Sequence, residues 1–364
     1  MAVWSPTPGT ERKKVFKTKD AAKAHLQAVA ADHALGRGGA VGRDVDFADY
    51  ATLWLEKQVH QRKASRAAIE SRLRLHIIPA FADIGLRQIR REDVQAAVAQ
   101  WSVKLAPSTV KLTYTYLSGI LSEAVLDGLL VSSPCVKIKL PAGEGERVRP
   151  LPVAAVQAVA DAMSGYYRAA VVLAASTGLR PGEWRSLTWD RVDLAGGWIT
   201  VDRQLVSETA HTYEFGPLKT TSSYRKVKIG PELIDTLQQL EPGPFGLVIY
   251  SRGAVTRGKA RTVWARVRRD LLNAEDEASR VDIGSGWHQL RHFHASQLIA
   301  GGASPVAVAH RLGHKDATET LQTYAHLWPD DHAKLAAMSD GLVKLNRHET
   351  ATPAVDASAG AGIF

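Results

Sequence analysis

Four short segments in the second half of the chain hold nearly all the side chains able to work on a polyanion. They are Thr177-Gly178-Leu179-Arg180-Pro181-Gly182-Glu183, the Thr- and Ser-flanked stretch around Lys219, His288-Gln289-Leu290-Arg291-His292, and Leu312-Gly313-His314 followed ten residues later by Tyr324. Gly178 is placed to end one helix and Pro181 suits the first turn of the next, so backbone would hold Arg180 from both sides. Glu183 can brace it, and a purely structural Arg–Glu pair explains that segment equally well. His288 and Arg291 share one face of a helix. A histidine and an arginine converging there suit a phosphate better than a metal. His292 and His294 raise the metal alternative, but the zinc-peptidase spacing needs Glu directly after the first His, and Gln289 stands there. Lys219 lies between two strand-like pieces. A hairpin lysine usually faces solvent, although a mobile hairpin can also bring an ammonium to a leaving oxygen. Tyr324, taken by itself, reads as half-buried packing sooner than as a nucleophile.

One rival motif competes. Gly253-Ala-Val-Thr-Arg-Gly258-Lys259 has the spacing of a phosphate-binding loop, between a strand-like run and a helix. Ala260 stands where Ser or Thr must hold magnesium, and Arg257 crowds a loop that normally lies bare against phosphates. No parallel strand–helix alternation follows, so nucleotide binding is set aside.

The elements that must position these groups fall into three regions. Up to about residue 43 the pattern gives a short strand near 14–17 and an Ala-rich helix over 20–35, with Asp20 as cap and Gly36 as stop. Gly36-Arg37-Gly38-Gly39 reads as a hinge. Residues 44–136 are helical, since Phe47, Tyr50, Ala51, Trp54 and Leu55, and later Val110, Tyr114, Leu117, Ile120, Leu121 and Val125, recur at helical spacing. About four helices fit, broken near 76–79, Gly85 and 106–108, with Ser108 as a cap. The aperiodic stretch 132–146 reads as a linker. Residues 147–345 are mixed. A helix from Pro152 leads to the apolar run 169–176, and strand-like pieces follow at 198–206, 213–217 and 224–229. An apolar run at 246–250 precedes a basic helix from about Lys259, and helices dominate to 345. The last residues read as a loose tail.

Composition agrees with a globular protein that meets a polyanionic partner. The 364 residues are 45% hydrophobic and 23% charged, ample for packed cores. The formal charge is +9, of which +5 falls in residues 1–43 and +3 in residues 44–140. Cations clustered in this way suit a phosphate backbone; a merely solvated basic surface is the bland alternative. Cys135 is the single cysteine, excluding a disulfide framework or thiolate metal cluster. With no apolar signal core and no run long enough to span a membrane, a reducing cytoplasm is the expected location.

Taken in order, Arg180, Lys219, His288-x-x-Arg291, Leu312-Gly313-His314 and Tyr324 resemble the active-site set of the tyrosine recombinase, or phage integrase, family. Each segment is weak alone, but five in the right order within about 150 residues are hard to obtain by chance. The resemblance extends over residues 14–340. The stretch from Phe47 to Trp54, His76-Ile77-Ile78-Pro79, and Ala124-Val125-Leu126-Asp127-Gly128-Leu129-Leu130 resemble the family's helical core-binding domain. Val15-Phe16-Lys17-Thr18-Lys19-Asp20-Ala21-Ala22 is similar to the end of its arm-binding domain. Departures are a short start to that module and Ser133-Pro134 where the family has Asn-Pro.

The resemblance implies a multidomain protein, mainly α with a small antiparallel β-sheet. It would comprise an arm-binding-like module at 1–43, a helical SAM-like core-binding domain at 44–136, a linker at 137–146, a mixed α+β catalytic domain at 147–345 and a tail at 346–364. It implies a site-specific recombinase or integrase that cleaves and rejoins DNA through a 3′-phosphotyrosine at Tyr324, with no metal and no cofactor. Arg180 and Arg291 would fork onto the non-bridging oxygens, staying charged at any relevant pH. His288 would take the phenolic proton, Lys219 would protonate the 5′ hydroxyl, and His314 would bond the phosphate. Implied partners are double-stranded DNA carrying attachment-type sites, a homotetramer at synapsis, and accessory DNA-bending or directionality factors. Residues 333–345 are the candidate for an element passed to a neighbour, or a helix packed on its own domain. Two alternatives are a monomeric relaxing enzyme with the same chemistry and a catalytically silent DNA-binding regulator.

Overall fold

The computed structural model describes residues 2–4, 12–16, 18–34, 45–143, 147–208, 213–328 and 332–340. The expected hinge at 36–39 and the tail at 346–364 lie outside the described residues, as do 341–345 of the candidate exchanged element. The chain divides into two compact units, Met1–Glu146 and Arg147–Phe364.

The first unit opens with a two-stranded antiparallel ribbon, β1 (Ala2–Trp4) and β2 (Arg12–Lys14), with Val3 opposite Lys13. The single strand expected near 14–17 is therefore a pair, and its second strand lies slightly earlier. Helix α1 (Lys19–Ala34) follows. Its first turn is capped by Thr18, whose Oγ1 accepts from the Ala21 amide at 3.2 Å. Asp20 instead sits within that turn, where a carboxylate favours the positive end of the helix dipole.

Four further helical pieces build the rest of this unit: α2 (Phe47–Lys57), α3 (Lys63–Arg72), α5 (Arg91–Lys104) and α6 (Pro107–Leu126), with the short α4 (Ile78–Ala80) continuing α3. No break occurs at His76. A π-helical turn, Leu73–Ile77, joins α3 to α4 by moving the Ile78 amide onto the Leu73 carbonyl. That wider turn accommodates Pro79, which has no amide hydrogen to give. Helix α6 starts with Pro107 in its first turn and Ala106 at the cap position, so Ser108 is not the cap. Phe47, Tyr50, Trp54, Ile77, Trp101, Leu117, Ile120 and Leu121 form its core. Beyond α6 the chain runs along α5. Arg91 donates to the carbonyls of Val136 and Lys137, each at 3.0 Å, and Gln95 exchanges two bonds with Lys139.

The second unit carries every candidate catalytic residue. Helices α7 (Val153–Ala162), α8 (Tyr166–Thr177) and the short α9 (Pro181–Arg185) come first. Strands β3 (Val192–Asp193), β4 (Trp198–Val201) and β7 (Arg225–Lys228) form an antiparallel sheet in the order β3-β4-β7, while β5 (Gln204–Glu208) and β6 (Tyr213–Gly216) pair separately. The piece expected as one strand over 198–206 is thus two. It is interrupted at Asp202 and Arg203, which pair with Arg191 and Asp190.

Helices α10 (Pro231–Gln238), α11 (Arg257–Leu272), α12 (His288–Ala300), α13 (Pro305–Leu312), α14 (Ala317–Tyr324) and α15 (His332–Ser339) complete the unit. Trp184, Trp264 and Trp287 pack ring to ring, at centroid distances of 4.8 and 5.2 Å about Trp287, within the main core. A second cluster joins α12, α13 and α14 through Ala295, Ile299, Val308, Leu312 and Tyr324. The loop with phosphate-loop spacing is folded inward. Ala254 and Val255 are fully buried, and the Val255 carbonyl accepts from Arg185 at 3.1 Å. The Lys259 amide is spent on Thr256 Oγ1 at 3.2 Å. No helix among the described residues is long and apolar enough to cross a membrane.

Candidate active site

Arg180 stands where α8 ends and α9 begins. Gly178 closes α8 in the left-handed region (φ +67), and a Cβ there would come within 2.7 Å of His294 and Leu312. Only glycine meets both demands. Arg180 then takes the N-cap position of α9 with Pro181 directly behind it. Its guanidinium donates to Glu183 Oε1 at 3.1 Å, to Ser223 Oγ at 3.4 Å and to the Gly313 carbonyl at 3.1 Å. The bracing by Glu183 therefore forms as the spacing suggests.

Glu183 holds more than Arg180. Its Oε2 accepts from the Arg180 amide and from Arg225 Nη2, both at 2.9 Å. Glu183 and Arg225 side chains are each only 3% exposed. Burial pushes this carboxyl up, but the Arg225 and Arg180 guanidiniums outweigh it and hold it below its usual range. Arg225 also donates to the Arg311 carbonyl at 3.0 Å, tying β7 to α13.

Arg291, on α12, is 1% exposed. Its Nη1 donates to the Gly178 carbonyl at 2.8 Å, while Nη2 is buried with no hydrogen-bond partner among the described residues. Burial, then repulsion from Arg180, brings its pKa down to about 9, so it remains a cation at neutral pH. A buried guanidinium with one nitrogen unspent is suited to an arriving anionic oxygen.

His314 follows Gly313, whose left-handed φ of +70 ends α13. The imidazole pairs through Nδ1 with Thr320 Oγ1 at 2.6 Å, and Nε2 lies 3.8 Å from Glu319 Oε1. Burial and the Arg291 charge lower its pKa to about 4, so it is neutral at physiological pH.

Tyr324 closes α14 and is 1% exposed. Its phenolic oxygen lies 2.8 Å from Nδ1 of His292. Burial pushes its pKa up to about 12, although Arg291 and Arg180 pull the other way. His288, expected to receive the phenolic proton, is not the residue on that oxygen. It lies one turn earlier on α12, exposed, with its ring edge-on to His292 at 4.8 Å. Partial loss of hydration, then the charges of His292, Arg291 and Arg180, bring His288 down to about 4.

Lys219 is exposed, three residues past the end of β6. The hairpin reading needs correction, because β6 pairs with β5 and β7 with β4. Lys219 lies on the connection between two sheets, where Pro217 cannot extend a ladder and Leu218 is buried. That connection also carries Ser223, which Arg180 touches.

Arg180, Arg291, His314 and Tyr324 thus converge from α9, α12, the end of α13 and α14. Residues 150–330 match the phage integrase family, and residues 46–102 match the N-terminal SAM-like domain of phage integrases. The chain belongs to the tyrosine recombinases. It is a DNA strand transferase of site-specific recombination. The putative prophage phiRv2 integrase of Mycobacterium tuberculosis is 29% identical over 307 residues, covering 82% of this chain and 79% of that protein. The fold is shared with the Tn1549 transposon integrase in complex with circular intermediate DNA, at 19% identity and a TM-score of 0.70, over 81% of this chain and 99% of that one. It is shared too with a lambda integrase tetramer bound to a Holliday junction, at 18% identity and 0.58, over 87% and 94%.

Sequence reasoning left out Arg225, Ser223, Thr320 and the placement of His292 in this recombinase. For Arg225 the signal was a charged residue at an inward position of a short strand. For His292 there was none, since its i, i+4 relation to His288 does not say which ring meets Tyr324. Among the described residues no group of three or more His, Cys, Asp and Glu side chains is gathered to hold a metal ion.

Proposed function

We propose that Tyr324 is the nucleophile of this recombinase, attacking one DNA phosphodiester to form a 3′-phosphotyrosine and expel the 5′ oxygen. In-line attack gathers negative charge on the two non-bridging oxygens, so catalysis is mainly electrostatic and positional. Arg180 and Arg291 are the two guanidiniums aimed there. The unpartnered Arg291 Nη2, buried in the site, is the observation that carries this reading. His314 adds a bond to the phosphate, Lys219 protonates the leaving 5′ oxygen, and the phenolic proton departs into the His288–His292 pair. The phosphotyrosine conserves the energy of the broken linkage, so resealing by a 5′ hydroxyl of a second duplex needs neither nucleotide nor metal.

The first unit supplies the grip. Residues 1–43 act as an arm-binding-like module, 44–136 as the core-binding domain and 137–146 as the link to the catalytic domain at 147–345. The basic bias of the N-terminal regions supports phosphate contacts there. Exchange between two duplexes requires four active sites, hence a tetramer on attachment-type sites, with DNA-bending or directionality factors as accessories. Residues 333–345 are the candidate element for subunit exchange. The setting is cytoplasmic.

A nicked suicide duplex offered in EDTA tests the core of this. Wild type should yield an SDS-stable adduct that mass spectrometry maps to Tyr324, and Tyr324→Phe should yield none while still binding DNA. An adduct on another side chain, or scission that needs a divalent ion, would refute the reading.

A further inference from the structure

We infer that His292 is the catalytic base that accepts the proton of Tyr324. This rests on Tyr324 being the nucleophile and adds the group that activates it. His292 Nδ1 lies 2.8 Å from the phenolic oxygen, the distance at which a proton can be handed over directly. His288 stands one helical turn away, exposed, with its ring edge-on to that of His292 at 4.8 Å.

The environment suits this assignment. Burial raises Tyr324 and lowers His292, so both partners are neutral before attack. A neutral imidazole with its proton on Nε2 leaves the Nδ1 lone pair free to accept the phenolic O–H. The titratable and charged groups facing His292 are His288 and Arg291 on α12 and Tyr324 on α14. As the phenolic oxygen bonds to phosphorus, its proton moves to Nδ1. The bond from phosphorus to the 5′ oxygen breaks, and that oxygen takes a proton from Lys219. Charge is conserved, with one cation made at His292 and one lost at Lys219. Resealing reverses both transfers. In the imidazolium both ring nitrogens carry protons, so Nδ1–H stays in place to return to the phenolic oxygen when the strand is resealed.

A substrate whose bridging 5′ oxygen is replaced by sulfur separates the two ends of the reaction, because a thiolate leaves without an acid. Single-turnover adduct formation is measured for wild type, His292→Gln and Lys219→Ala on both substrates. His292→Gln should cleave about 100-fold more slowly than wild type at pH 7, within the range for losing a general base. The deficit should persist with sulfur and shrink as pH rises and hydroxide takes over. Lys219→Ala should be slow with oxygen and restored by sulfur. In His292→Ala, free imidazole should recover part of the rate. For unaltered protein on the sulfur substrate, the rate should hold down to below pH 6.5 and then fall as His292 protonates. The assignment is overturned if His292→Gln stays within about 3-fold of wild type, if sulfur restores it, or if the unaltered protein's rate falls at higher pH. Absence of any Tyr324 adduct from wild type would instead defeat the tyrosine reading itself.

Discussion

Among the described residues no carboxylate lies within bonding distance of Arg291, although it is the more deeply buried of the two candidate active-site guanidiniums. An ion in that position costs several kcal/mol of hydration. The Gly178 carbonyl and the more distant Glu183 charge return only part of that cost. Such a site is expensive to keep unless a phosphate repays it, and the planar fork is what would allow Nη1 to hold protein while Nη2 faces the proposed ligand. Lysine offers a point charge and no fork. Arg291→Lys should therefore lower single-turnover cleavage by about 100-fold or more, with DNA affinity changed little, as for loss of one preorganised donor. Gel-shift and adduct assays in parallel check this, and equal losses in both would move Arg291 from chemistry to grip. At this scale the sequence was informative where residue type alone carries the chemistry. Arg180, Arg291, His314 and Tyr324 stood out as candidates because few side chains can neutralise a phosphate or attack it, and the fold gathers them. The His292 contact did not stand out. Nothing local to α12 says which of two histidines one turn apart will face a tyrosine 32 residues further along.

Elements hold those residues by their ends. Arg180 is at the start of α9, His314 just past α13 and Tyr324 at the end of α14, so these three inherit the placement of a helix terminus. Glu183 joins these termini by receiving Arg180 from α9 and Arg225 from β7, which in turn reaches α13. Glu183→Gln keeps the volume but leaves two guanidiniums facing each other without their shared anion. Breaking a buried pair in this way costs about 3–5 kcal/mol. The variant should unfold at lower temperature and cleave more slowly, and Arg180 should lose its orientation before it loses its charge. Calorimetry and adduct formation read the two effects. A stability change under about 1 kcal/mol would show that Arg225 and Arg180 do not depend on Glu183. Helix ends were legible where one residue has a single backbone preference, as at Gly178 and Pro181. They were misread where the decision lay elsewhere. Thr18 rather than Asp20 caps α1, Pro79 is absorbed by a π turn, and Lys219 joins two sheets because strand partners are chosen by distant residues.

At the scale of the whole second unit, the same burial that readies the site makes it sensitive to acid. His294 and His314 are 6% and 8% exposed, and burial lowers each to about 4 from 6.5. In the unfolded chain both would take up protons near 6.5, so their depressed folded values favour folding fully above that pH. The contribution disappears as pH falls from 6.5 through 4, each group accounting for roughly 3 kcal/mol at the end of that range. Between pH 6.5 and 5 ordinary carboxylates remain largely ionised, so loss of stability in that interval belongs to histidine. Because the chain has two units, a single unfolding midpoint would mix them. Amide exchange along α8 and α12, corrected for intrinsic rates, isolates the second. Protection there should fall clearly between pH 7 and 5, and His294→Asn should flatten the trend. Protection in α8 and α12 that stays constant across the interval would mean that these imidazoles are reached by water and protons without unfolding. The neutral site that the proposed proton transfer from Tyr324 requires would then not be maintained by burial.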